Sequence, residues 1–205
     1  MKKLPFPLYH GTSTLFTDSI KANGLGGNDI IKELRVLNFL SELETLADTT
    51  LTNNENWIYS PKYSISQITS QKTGFQHGQV YLSPSRHTAG RYSQRTYGSE
   101  AISSVFEVVD ILRSNNIQIS NDLLNRFQAI MHLETVEKKP ILYEISDLPV
   151  DYLLMGEKGE DVNIQIDKVM KIIEKYGFDG ILGHAQQINF RLAKPIPFDW
   201  LTELS

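Results

Sequence analysis

The sequence predicts an α+β fold with a core of two small sheets. Helix-like and strand-like segments are interleaved, yet the strands are short, which argues against a long parallel sheet. The chain has 205 residues, 40% hydrophobic and 21% charged, enough to bury a real core as one domain or one domain with an insertion. The stretch Gln79–Tyr97 reads as strand, sharp turn, helix. Val80, Tyr81 and Leu82 have strand bias, Ser83-Pro84 stops them with Ser83 as N-cap and Pro84 at the first helical position, and a helix follows with Ala89 and Tyr92 three apart on one side.

Taken in order, Pro7 to Tyr9 reads as a short strand ended by His10-Gly11-Thr12-Ser13. Thr14 to Ala22 fits a short helix, broken by Asn23-Gly24-Leu25-Gly26-Gly27. Ile30 to Ala47 carries the clearest helical stripe: Ile30, Leu34, Leu37, Leu40, Leu43 and Ala47. Thr49 to Gln79 is polar and weakly patterned and reads as an insertion or mobile loop with one short helix, and the region 29–79 as a whole reads as an insertion or mobile region. Ser103 to Val109 is β-rich and reads as a strand. Asp122 to His132 reads as a helix and Pro140 to Ile145 as a strand. Ile164 to Tyr176 reads as a helix capped at Gly177, and Phe178 to Leu182 as a short strand. Gln186 to Leu192 reads as the last strand, with Ile188, Phe190 and Leu192 on one face and Gln187, Asn189 and Arg191 on the other. Trp57 and Trp200 read as core anchors.

Composition excludes several chemistries. With no cysteine there is no disulfide framework, thiolate nucleophile or Cys-based zinc site. The histidines His10, His77, His87, His132 and His184 lack the spacing of a metal pair, so no metal is expected. There is no phosphate-cradling Gly-Lys-Ser/Thr loop, no dinucleotide fingerprint and no nucleophile elbow. No segment approaches the roughly 20 apolar residues of a membrane span, and the prolines at the start interrupt a signal-like run, so a cytoplasmic protein is expected. The formal charge of −4 gives no general attraction to a nucleic-acid backbone, although Arg86, Arg91 and Arg95 lie close together.

What remains is a pair of strand ends. His10 offers an imidazole that can donate to a hydroxyl, and Gly11 lets a ligand approach the backbone. Tyr81 and Ser83 offer a flat ring and a hydroxyl. Together they suit a nicotinamide nucleoside; a turn histidine and core tyrosines are the competing reading.

Leu8-Tyr9-His10-Gly11-Thr12-Ser13, then Val80-Tyr81-Leu82-Ser83, a helix with Ala89 and Tyr92, and a terminal strand after Tyr176-Gly-Phe-Asp-Gly-Ile-Leu182 resemble the ADP-ribosyltransferase superfamily. The likeness is to its diphtheria-toxin and poly-ADP-ribose-polymerase branch, which uses a His–Tyr–Glu set. It covers three islands and leaves Asp29–Gln79 and Asp110–Pro140 unmatched. It implies a split β-sandwich fold and NAD as co-substrate. His10 would hold a ribose hydroxyl, and the Gly11 backbone would pair with the nicotinamide amide. Thr12 and Ser13 would line the adenosine side. Tyr81 and Tyr92 would enclose the ring, and Ser83 would brace the strand end.

The family's carboxylate is missing. Gln187, and after it Asn189, stand where the resemblance places Glu. Three accounts stay open: a Glu→Gln change at position 187, a variant that works without Glu, or a protein that binds NAD without turning it over. The resemblance implies a mono-ADP-ribosyltransferase acting on protein, RNA or DNA. An intracellular toxin or effector of a toxin–antitoxin or phage-defence system fits, with a cognate antitoxin as partner. A non-catalytic NAD or ADP-ribose binding module and an RNA 2′-phosphotransferase are the alternatives.

Overall fold

The computed structural model describes residues 2–59, 61–69, 78–95, 97–156 and 158–204. His77 and part of the polar 49–79 stretch lie outside them. The chain forms two compact units. One comprises Met1–Asn28, Gln79–Gly98 and Lys138–Ser205; the other comprises Asp29–Gly78 and Ser99–Glu137.

The first unit carries both sheets. Strand β1 (Leu8–Ser13) leads through a 3-10 turn into helix α1 (Thr17–Asn23). His10–Ser13 therefore continues the strand that the sequence was expected to end there, because these residues pair along their whole length with a partner strand. The helical unit follows in sequence with α2 (Ile30–Glu33), α3 (Val36–Thr50), α4 (Glu55–Ile58) and α5 (Pro61–Thr69). The expected single helix over 30–47 is interrupted at Arg35, which sits in the left-handed region at φ 57°. The described residues of the 49–79 stretch hold two short helices rather than one.

The chain returns to the sheet unit with β2 (Tyr81–Leu82) and α6 (Arg86–Ser93). The helix is capped by Ser85, whose Oγ accepts from the Thr88 amide at 3.3 Å, not by Ser83. Ser83 acts one step earlier: its Oγ accepts from the Ser85 amide at 3.1 Å and closes the turn around Pro84.

Helix α7 (Glu100–Ser114) replaces the strand expected over 103–109. Ser99 caps it, and Ile102, Val105, Val109 and Leu112 recur in steps of three and four, all buried. Burial of this stripe, flanked by Ala101 and Val108, outweighs the strand preference of its valines. Helices α8 (Asn121–Arg126) and α9 (Gln128–His132) split the expected 122–132 helix at Phe127, whose ring stacks on Phe39 at 4.6 Å. With Phe39, Leu40, Leu43, Trp57, Ile65 and Ile130 buried, this unit has a core of its own.

The sheet unit resumes with β3 (Pro140–Ile145), β4 (Leu153–Leu154), α10 (Val162–Tyr176), α11 (Gly180–His184), β5 (Phe190–Leu192) and β6 (Thr202–Leu204). Asp161 caps α10, and Gly177 ends it at φ 72°. Phe178–Leu182 is a turn entering α11, not a strand. The expected strand over 186–192 shrinks to Phe190–Leu192, and β6 comes after it. Trp200 is 41% exposed, leaning on Tyr152, so it is no core anchor; Trp57, 1% exposed, is one.

Both sheets are antiparallel, ordered β1-β3-β6 and β2-β5-β4. A backbone bridge between Tyr9 and Ser83 joins them. Leu8, Ile141, Tyr143 and Ile145 of the first sheet and Leu82, Leu153, Phe190 and Leu192 of the second share one apolar core. The fold is thus α+β with two small sheets. No described helix is long and apolar enough to cross a membrane.

Candidate functional site

The Tyr9–Ser83 bridge fixes the site. Tyr9 N–H donates to the Ser83 carbonyl at 2.8 Å, and Ser83 N–H donates back at 2.9 Å. Backbone polar groups alternate sides along a strand. Those of Gly11, two residues beyond Tyr9, therefore point toward β2 as well. No backbone hydrogen bond joins Gly11 to Tyr81 among the described residues. The two strands part there, and the Tyr81 carbonyl accepts from the His10 imidazole at 3.0 Å instead.

That bond fixes a tautomer. A carbonyl only accepts, so Nδ1 carries the proton and Nε2 keeps its lone pair. Burial pushes the His10 pKa below its ordinary value, and the Tyr81 carbonyl opposes that only in part. The imidazole is therefore neutral at neutral pH. In this tautomer Nε2 can accept from a hydroxyl, whereas the sequence suggests an imidazole that donates.

Gly11 is glycine for a reason the sequence did not disclose. A Cβ there would lie 1.9 Å from the Ala89 carbonyl and 2.6 Å from the Ser93 amide. Helix α6 closes onto β1 at this point, so it is the helix, rather than a ligand, that approaches the missing side chain. The Gly11 amide and carbonyl, pointing along the sheet toward β2, stay outside this contact.

Thr12 and Ser13 are buried at 3% and 1% exposure, and Ser13 Oγ accepts weakly from the Leu15 amide at 3.4 Å. Ser83 is buried in the turn it closes. Tyr92 is 41% exposed on α6, with the Arg95 guanidinium 5.1 Å from its ring centre. One turn before it, Thr88 Oγ1 donates to the Gln186 carbonyl at 3.4 Å. This ties the 186–187 turn to the same flank of α6.

Gln187 and Asn189, expected on the last strand, precede β5 instead. Gln187 Oε1 accepts from Lys158 Nζ at 2.6 Å on the surface. The Asn189 carbonyl lies against Gly156, where a Cβ would come within 2.0 Å of it. The strand residue facing Tyr81 is Arg191, its register partner on β5. Opposed residues share a face, so Tyr81, Arg191 and Leu154 line the side away from the core. The sequence placed Arg191 on the face of Gln187 but gave no register to set it opposite Tyr81.

Tyr9 is the register partner of Glu144 on β3. Burial and this carboxylate raise the Tyr9 pKa, and the nearby charge of Arg86 opposes them. No group of three or more His, Asp or Glu able to hold a metal occurs among the described residues. No family model, curated protein or solved structure matches the chain.

Proposed function

We propose that the sheet unit is an ADP-ribosyltransferase-like domain that binds NAD where β1 and β2 part. The observation that carries the reading is the His10–Tyr81 hydrogen bond beside the Gly11 backbone edge. It brings two chain segments 71 residues apart onto one small patch, as the resemblance requires. In this reading Nε2 of His10 accepts from a ribose hydroxyl. The Gly11 amide and carbonyl meet the nicotinamide carboxamide, and the Tyr81 and Tyr92 rings flank the pyridine. Arg191, across from Tyr81, is a cation suited to the pyrophosphate.

The reaction breaks the bond between the ribose C1′ and the nicotinamide nitrogen. The electron pair leaves with nicotinamide, and an acceptor nucleophile adds to C1′. Positive charge grows on the ribose ring, and a fixed carboxylate would stabilise it. Gln187 offers only an amide dipole, and its oxygen already holds Lys158. The reading is a mono-ADP-ribosyltransferase acting on a macromolecular acceptor as a toxin or effector with a cognate antitoxin.

The neutral, engaged Gln187 also favours a second reading, a module that binds NAD without cleaving it. Calorimetric titration with NAD and chromatographic detection of released nicotinamide separate the two. Binding with release, raised by Gln187→Glu, is the expected result for the transferase. Binding without release in either form selects the module. Absence of NAD binding, in a folded protein, removes both.

A further inference from the structure

We infer that the outer face of α6 forms a docking groove for one nucleotide of a single-stranded nucleic acid. An open groove of about 440 Å³ is lined by Arg86, His87, Gly90, Arg91, Gln94 and Leu142, with Leu182 at its edge. A helix turns by about 100° per residue. Arg86, Gly90 and Gln94 therefore form one row with His87 and Arg91 beside it, while Thr88 and Tyr92 lie on the opposite side. On α6 the groove lining thus lies away from Tyr92 of the proposed NAD site.

Its chemistry is specific. Arg86 and Arg91 are exposed, and neither forms an ion pair among the described residues. Both guanidiniums are thus available to a planar, multivalent anion, and phosphodiester oxygens match their fork. Between them, Gly90 leaves open space where a Cβ would point. Leu142, partly buried, and Leu182, 46% exposed, supply an apolar floor. Cations flanking a shallow apolar recess fit phosphates flanking a base. An acidic peptide would use the cations but leave the recess empty. The volume fits one splayed base and not a duplex. In a chain of net charge −4 the attraction is local.

The identification of the acceptor as nucleic acid rests on the transferase reading, but the binding claim does not. The test is fluorescence anisotropy of labelled 12-mers of rU and dT, without NAD, over a range of salt. Binding of either or both strands is expected. Arg86→Gln/Arg91→Gln should weaken it tenfold or more and lower the salt slope by about 1.4, at about 0.7 per phosphate. Lys2→Gln/Lys171→Gln, which removes two cations elsewhere, should leave that slope unchanged. Gly90→Phe keeps both guanidiniums, fills the recess and should also weaken binding. Circular dichroism checks that the variants fold. Equal binding of a duplex, equal displacement by oligoglutamate, or undiminished binding by the arginine and glycine variants overturns the inference. Because NAD is absent, a failed NAD titration does not touch this result.

Discussion

The helical unit and the sheet unit solve different problems. In the helical unit, side chains do the work: Phe39, Leu40, Leu43, Ile102, Val105 and Leu112 bury an apolar core between helices. In the sheet unit, the candidate site is made largely by main chain. A carbonyl orients His10, a bridge at Tyr9 and Ser83 sets where the strands separate, and a glycine admits a helix. Side-chain cores leave periodic traces in a sequence. Main-chain sites depend on register, which a sequence records weakly.

The largest effect that would sharpen this contrast is in the helical core. Phe39→Ala removes a fully buried ring stacked on Phe127 and should cost about 3–5 kcal/mol in urea unfolding. NAD titration below the transition should be unaffected; lost NAD binding in the folded variant would break the division of labour.

Next is Gly11→Ala, which places a methyl against backbone atoms of α6 that cannot rotate away. Its cost should reach the upper end of the usual overpacking range, about 3 kcal/mol, and NAD binding should fall with it. An unchanged denaturation midpoint would show that α6 does not sit where described.

Tyr81→Ala comes third. NAD affinity should fall about tenfold, roughly 1.4 kcal/mol, while stability changes little because the ring is only partly buried. Tyr81→Phe should retain most of the affinity.

The fourth test is pH. The folded pKa of His10 lies below its ordinary 6.5. Between those two values the unfolded chain binds more protons, so stability rises with pH there. The contribution is complete above about 6.5 and is lost as pH falls from there to the folded pKa. His10→Gln should flatten that part of the stability curve, and NAD affinity of the parent should fall at lower pH, through the folded pKa, as Nε2 gains its proton. The smallest effect belongs to Arg126, an exposed cation paired with Glu42 and Asp122; Arg126→Gln should leave the melting temperature within error.

Much of the fold was legible where a pattern is local. Pro140–Ile145 is a strand with the expected bounds, and Gly177 ends α10. Residues 103–109 lie inside α7. Its valines suggest a strand, but extending the window to 101–112 shows helical steps that a strand cannot use. The 178–182 error has no such remedy, since Phe-Asp-Gly-Ile-Leu suits either state and Gly180 in fact starts a helix. Within the site, His10 and Tyr81 were legible as residues but not as donor and acceptor. The tautomer depends on a carbonyl, and every residue has one. Gln187 and Asn189 were misplaced because alternation continued past the true strand into a turn. The place of Arg191 across from Tyr81 is set by strand register, which the sequence does not record.

The acceptor that orients His10 belongs to the peptide unit of residue 81, whatever side chain is attached there. Imidazole geometry and ring chemistry at that position are therefore separable inheritances. Another side chain at position 81 leaves in place the carbonyl that orients the histidine.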